Sequence, residues 1–218
     1  MKHRIVLTLI IYMNLFMSQA QEHYEALPYF QIPEAPEAYS QGAIAARMVD
    51  GLGFRYYWAT EGLSPEDLAF RPSPEARTSQ ETIDHILGLS TVILNSALHK
   101  TNEGNDFKDL SFYEKRKLTL NNLKTAADIF RESDDLAEFT VVFKGKNGTN
   151  TFPFWNQING PISDAIWHCG QVVSFRRSSG NPYNSNASVF MGRSSGSIET
   201  MCGSSTPRGA KSIRLDIF

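Results

Sequence analysis

SQETIDHILGLSTVILNSAL, residues 79–98, has the apolar spacing of an amphipathic helix. Its large aliphatic side chains recur at steps of three and four and so form one stripe: Ile83, Ile86, Leu87, Val92, Ile93 and Leu98. Thr78 or Ser79 begins this helix; Ser79 can cap it, and Glu81 lies in the first turn, where a carboxylate complements the helix dipole. The segment predicts a helix packed on a core, with His85 about two turns from its start.

Two more segments, one on each side of residues 79–98, have the same period. Residues 38–61 carry the apolar stripe Ile44, Met48, Leu52, Tyr56 and Ala59 and stop at Gly62, a suitable C-terminal cap. The prolines of the connection 63–74 keep it from extending this helix. Residues 112–131 form a third amphipathic helix, on which we expect four charged residues to be simply solvated: Glu114, Lys115, Arg116 and Lys117.

A hairpin and a last helix follow. Residues 138–143 and 149–154 are β-prone and flank Gly145-Lys146-Asn147-Gly148, and Asn-Gly between such runs indicates a hairpin. The last helix is expected to open after Gly160, with Pro161 near its first turn, and to run to about Ser178. The sequence therefore predicts a mainly α fold with a small β-hairpin before the final helix.

The two ends of the chain differ from this body. Lys2, His3 and Arg4 precede an apolar run that ends in small residues at Ala20, the pattern of a signal peptide over residues 1–20. A retained membrane anchor is the weaker interpretation, because the apolar run is shorter than the ~20 residues that cross a bilayer. Residues 21–37 are expected to form an extended lead-in, and residues 183–218 an irregular tail rich in Ser, Gly and Asn. A secreted or periplasmic location follows as an expectation.

Composition narrows the classes of partner. The formal net charge is -2 and charges of both signs are scattered, so nothing predicts a nucleic-acid partner or stable membrane insertion of the mature chain. The chain has 2 cysteines, Cys169 and Cys202, too few for a disulfide framework, although one bridge between them stays open. One domain of ordinary size is sufficient.

A candidate metal site lies in the last helix. Asp164-Ala165-Ile166-Trp167-His168 places a carboxylate and an imidazole four residues apart, on one face of a helix. His85, on the earlier helix, could complete a set of two imidazoles and one carboxylate around a divalent ion. Taken alone, the Asp164–His168 pair is more typical of a capping or surface pair than of a metal site, and His85 is more typical of a hydrogen-bonded core residue than of a ligand.

Two segments, 79–86 and 166–172, resemble the signature regions of the DinB-like superfamily, which includes thiol-dependent S-transferases. His85 matches the family's first ligand and His168 its last, and Gly170-Gln171 matches the tail of its motif. The resemblance covers about residues 38–182 and implies an up-down-down-up four-helix bundle, a bound zinc or nickel ion, a small-molecule substrate and frequent pairing as a homodimer.

One departure from the family pattern leaves two functions open. Asp164 stands where the family usually has the first histidine of its His-x-x-x-His pair, so the set becomes His85, Asp164 and His168. The first hypothesis is an exported metal-dependent hydrolase or transferase; export makes the thiol-transferase branch less attractive. The alternative is a non-catalytic helical module whose degenerate site serves packing or binding.

Other polar and aromatic residues are predicted to be structural. Cys169 points about 100° away from His168 around the helix and is expected to be a core thiol rather than a nucleophile. Arg176 is expected to complement the end of its helix rather than to steer an anionic substrate. His99 lies too far along its helix from His85 to share an ion. Three tryptophans are expected in the core: Trp58, Trp155 and Trp167.

Overall fold

The computed structural model describes residues 26–104, 106–146 and 148–195. The protein is mainly helical, as the sequence predicts. Its helices are α1 (Gln41–Thr60), α2 (Pro65–Ala69), α3 (Ser79–Ala97), α4 (Phe112–Arg131), α5 (Phe154–Gln157) and α6 (Ser163–Ser178). The predicted signal peptide, Cys202 and the last part of the tail lie outside the described residues.

Reciprocal caps fix where α3 and α4 begin. Thr78 is the N-cap of α3: its hydroxyl accepts from the Glu81 amide at 3.0 Å, and the Glu81 carboxylate accepts from the Thr78 amide at 2.7 Å. Ser79, the predicted cap, is instead the first helical residue and is buried. Ser111 and Glu114 form the same capping box at α4, which begins and ends where the sequence predicts. Each box satisfies two amides that would otherwise lack a partner.

The four long helices contact one another in pairs. α1 packs against α4 and α6, and α3 also packs against α4 and α6. Their facing sides form one apolar core, whose fully buried members include Leu52, Tyr56, Ile83, Ile86, Leu120, Leu123 and Phe130. Nothing in the described residues forms a helix long and apolar enough to cross a membrane.

The buried face of α1 is displaced from the predicted stripe. Leu52, Tyr56 and Ala59 are buried, but Ile44 is 51% exposed. The buried residues of α1 also include Ala45, Ala46 and Val49, which the predicted stripe omits, and the lead-in adds a contact at Gly53. Tyr29 lies against Gly53 and donates its hydroxyl to the buried Asp50 at 3.1 Å.

The predicted hairpin is present. β1 (Val141–Gly145) pairs antiparallel with β2 (Gly148–Phe152), and Gly148 has a φ of 122°, a conformation that glycine tolerates best. The hairpin leads into the final helical stretch and is joined to the loop after α3, because the Asn102 amide donates to the Val142 carbonyl at 2.8 Å.

The last helical stretch starts earlier than predicted. It begins at Phe154 with α5 and passes through a π turn, Ile158–Ile162, into α6. Pro161 lies inside that turn and has no amide hydrogen to donate. The wider turn accommodates it, since the Ser163 amide donates to the Ile158 carbonyl five residues back.

The tail is less irregular than predicted as far as residue 195. β3 (Ala187–Ser188) pairs antiparallel with β4 (Arg193–Ser194), and Ala187 and Ser194 are buried. The Ile32 amide donates to the Gly192 carbonyl at 2.8 Å, so the lead-in and this C-terminal segment are hydrogen-bonded.

Two charged side chains of α4 are buried, although the sequence predicted that they would be solvated. Lys115 and Arg116, expected to be solvated, are only 8% and 7% exposed. Lys115 binds both oxygens of Asp84, and Arg116 binds Glu61 at 2.5 Å, so partners on α3 and just after α1 offset the cost of burial.

The tryptophan prediction holds for one residue of three. Trp58 is buried, whereas Trp155 and Trp167 are 73% and 72% exposed. Trp167 lies on the side of α6 that faces away from α1 and α3, the two helices against which α6 packs.

Candidate metal centre

The three predicted ligands come from two helices that pack against each other. His85 lies in the second turn of α3, and Asp164 and His168 lie in the first two turns of α6. The contact between α3 and α6 brings the imidazole of His85 to the carboxylate of Asp164, 79 residues away along the chain. The four-residue spacing puts His168 on the same face of α6 as Asp164.

Asp164 lies between the two imidazoles. The Nε2 atom of His85 is 3.2 Å from Oδ2 of Asp164, and the Nε2 atom of His168 is 3.3 Å from Oδ1. The two rings approach edge to face, with centroids 4.7 Å apart. Ligand atoms of all three residues lie within 4.8 Å of one another, the only such His, Cys, Asp or Glu group among the described residues.

These distances suit a shared cation. Two atoms bonded to one zinc ion about 2.1 Å away, at a tetrahedral angle, lie about 3.4 Å apart. The two nitrogen–oxygen separations, 3.2 and 3.3 Å, are close to that value; they involve the two different oxygens of Asp164 and are also hydrogen-bond distances. Imidazole and carboxylate are common zinc ligands, and three protein ligands leave a position free.

Gln171 fixes the orientation of His168. Its side-chain oxygen lies 2.7 Å from Nδ1 of His168, so the two side chains are hydrogen-bonded. The other ring nitrogen, Nε2, faces Asp164. Histidine ligands of metals are commonly held in this way, with the outer ring nitrogen bonded to a neighbouring polar group.

Both ring nitrogens of His168 have partners. Nδ1 faces the side-chain amide of Gln171, and Nε2 faces the carboxylate of Asp164. A metal ion at the centre would lie between Nε2 and Asp164 and replace their direct contact.

The centre is open on one side. The side chains of His85 and Asp164 are 35% and 40% exposed, whereas that of His168 is 13% exposed. A small molecule can therefore reach His85 and Asp164 from solvent, while His168 is held from behind by the helix and by Gln171.

The remaining candidates are structural. Burial raises the pKa of the Cys169 thiol to about 12, as expected for a core residue and not for a nucleophile. Arg176 is buried and donates to the carbonyls of Trp58 and Ala59, so it caps the end of α1 rather than contacting a substrate. His99 stacks on Phe139 and takes no part in the group.

The orienting contact of Gln171 was not predicted from the sequence. Its three-residue spacing from His168 is the signal that could have indicated it, because side chains three apart meet on a helix.

Comparison with protein-family models, curated proteins and solved structures found no match. The geometry of the centre is therefore the main support for a function.

Proposed function

We propose that the protein is an exported, DinB-like, divalent-metal-dependent hydrolase or transferase, with zinc or nickel held by His85, Asp164 and His168. The observation that supports it is the convergence of these side chains, from two helices, with ligand atoms within 4.8 Å of one another. Each of the four long helices contacts two of the others, as in the four-helix bundle that the family resemblance implies.

Each residue has a distinct role in this proposal. His168 is held by Gln171 so that Nε2 faces the centre, and Asp164 contributes the negative charge that a divalent ion needs. His85 closes the set from α3. The ion would supply Lewis acidity. The exposed side at His85 and Asp164 admits a small-molecule substrate.

The location of the protein, its class of substrate and its oligomeric state are also part of the proposal. The signal-like residues 1–20 support a secreted or periplasmic protein, and the near-neutral charge agrees with a small-molecule substrate rather than nucleic acid or a membrane surface. A homodimer remains part of the proposal through the family resemblance.

A non-catalytic helical module is the second candidate. It is favoured by one observation: Asp164 lies at hydrogen-bond distance from both imidazoles, and such contacts need no ion. Metal content separates the two candidates.

We expect the mature chain to bind one zinc or nickel ion per molecule, measured by elemental analysis after dialysis. His85→Ala and His168→Ala should each lower the affinity at least about tenfold, since each removes one of three protein ligands. His99→Asn is the matched control: it removes a histidine outside the group at a φ of 53°, which asparagine tolerates. Equal metal content in the control and the two alanine variants would contradict the proposal.

Asp164→His provides a sharper test, because it restores the three histidines typical of the family. It should keep the ion, whereas Asp164→Asn should weaken binding by removing the charged ligand. Loaded protein should also melt at a higher temperature than chelator-treated protein, since an ion that binds only the native state stabilises it. An unchanged melting temperature would favour the non-catalytic module.

A further inference from the structure

A cavity of about 280 Å³ lies beside α6, away from the metal centre. Ile166, Cys169, Val173 and Val189 form apolar parts of its wall, and Tyr183 and Ala187, from the segment after α6, also line it. Its volume is close to the lower end of the roughly 300–1,000 Å³ typical of small-molecule sites.

The charges of this cavity have one sign. Arg55 from α1 and Arg177 from the end of α6 line it, and no acidic residue does. Arg55 donates to the Gly51 carbonyl at 2.9 Å, and neither arginine forms an ion pair with a carboxylate in the part of the chain that the structure describes. Both guanidinium groups therefore keep donors free for an anion on a protein whose net charge is -2.

The electrostatic influences on Tyr183 also indicate that this cavity is positively charged. Burial raises the pKa of the Tyr183 phenol, and the positive charges of Arg55, Arg176 and Arg177 act against that rise. The charged groups that act most strongly on this wall of the cavity are therefore arginines.

The cavity and the metal centre are on opposite sides of α6. Successive residues turn by about 100°, so Val173 lies about 180° from Asp164, and Gly170 about 200° from His168. One small ligand in the cavity cannot also reach the metal centre. The cavity therefore constitutes a second site, independent of the proposed metal binding.

We infer that this cavity binds a small aliphatic monocarboxylate, with its hydrocarbon chain against Ile166, Val173 and Val189 and its carboxylate on Arg55 and Arg177. A guanidinium group matches the planar carboxylate with two parallel hydrogen bonds. Inorganic phosphate lacks the apolar part that would occupy the wall, and an aliphatic alcohol lacks the charge that the arginines complement.

Titration of the full mature protein with octanoate, followed by amide NMR, tests the inference. Octanoate should shift the amide signals of Gly170 and Val173 saturably, whereas 1-octanol and inorganic phosphate should bind at least about tenfold more weakly. Arg55→Gln and Arg177→Gln should each weaken octanoate binding about fivefold, because each removes a charge-assisted contact at a partly solvated rim. Arg77→Gln, an exposed arginine outside the cavity, should leave the affinity unchanged.

Separate variants distinguish this site from the metal centre. His168→Ala should leave octanoate affinity within about twofold of the original protein, and Arg177→Gln should leave zinc content unchanged. Octanoate that gives no saturable shift, or that binds no better than octanol, would overturn the inference whatever the metal content.

Discussion

At the scale of single residues, Gln157 is the least satisfied side chain of the core. It is fully buried, and neither its nitrogen nor its oxygen has a hydrogen-bond partner among the residues that the structure describes. A buried amide without partners costs about 1–3 kcal/mol. The residue ends α5, one position before the π turn.

We therefore expect Gln157→Met, which keeps the shape and removes the polar atoms, to stabilise the protein by about 1 kcal/mol. The melting temperature should rise by about 2–4 °C for a chain of this size. Gln41→Met, at an exposed position of α1, is the matched control and should change stability by less than about 0.5 kcal/mol. A lower melting temperature for Gln157→Met alone would mean that this amide is hydrogen-bonded in solution.

At the scale of elements, close approach between α1 and the end of α4 depends on Gly42. A Cβ atom there would overlap the backbone carbonyl oxygens of Phe130 and Ser133. Gly88 on α3, by contrast, has nothing within 4 Å of the position of a Cβ. The two glycines look alike in the sequence and differ only in what the neighbouring helix places against them.

Gly42→Ala should destabilise the protein by at least about 2 kcal/mol, because backbone atoms of two elements must separate. Gly88→Ala should stabilise it by roughly 0.5–1 kcal/mol through helix propensity alone. Urea unfolding of both variants measures the difference. Equal effects would show that the α1–α4 contact is looser in solution.

Features that depend on nearby residues in the sequence could be predicted. Features that depend on contacts with other helices could not. The Ser111–Glu114 capping box sets the start of α4, and the hairpin follows from the glycines around Lys146. The burial of Lys115 and Arg116 depends on carboxylates of other elements, to which no local pattern points. The exposure of Trp167 depends on which side of α6 is left uncovered.

The candidate metal centre could be predicted from the sequence, whereas the cavity beside α6 could not. The convergence of His85, Asp164 and His168 was predicted and is present, because helix spacing and the family resemblance both indicated it. Metal binding by this group stays a prediction. The cavity beside α6 was not predicted, because part of its wall comes from the C-terminal segment that the sequence suggested was irregular.

At the scale of the whole molecule, Asp67 joins the first half of the chain to the end of α6. It lies in the capping box of α2 and accepts from Ser179 at 2.5 Å and from Asn181 at 2.6 Å. Burial raises its pKa, but hydrogen bonds from Asn181, Ser179 and Ser64 outweigh burial and lower the pKa to about 2. Its folded-state pKa is therefore below the ordinary value, so the carboxylate stabilises the fold above about pH 4 and loses this contribution as the pH falls towards 2.

Asp67→Asn should therefore lower the free energy of unfolding by about 1 kcal/mol at pH 7, after allowance for solvent screening, and by less near pH 2. Urea unfolding at a series of pH values measures this. Asp109→Asn removes an exposed carboxylate with no partner in the described ranges and should show no such trend. A destabilisation by Asp67→Asn that is the same at both pH values would show that the charge is not responsible.

The separation of His85 from Asp164 by 79 residues also affects how the protein would obtain its ion. An unfolded or half-synthesised chain has no such centre, because α6 must dock on α3 before the donors meet. If the group binds a metal as proposed, the compartment in which folding finishes would supply it. Zinc or nickel would be selected by local availability at that moment as much as by ligand chemistry.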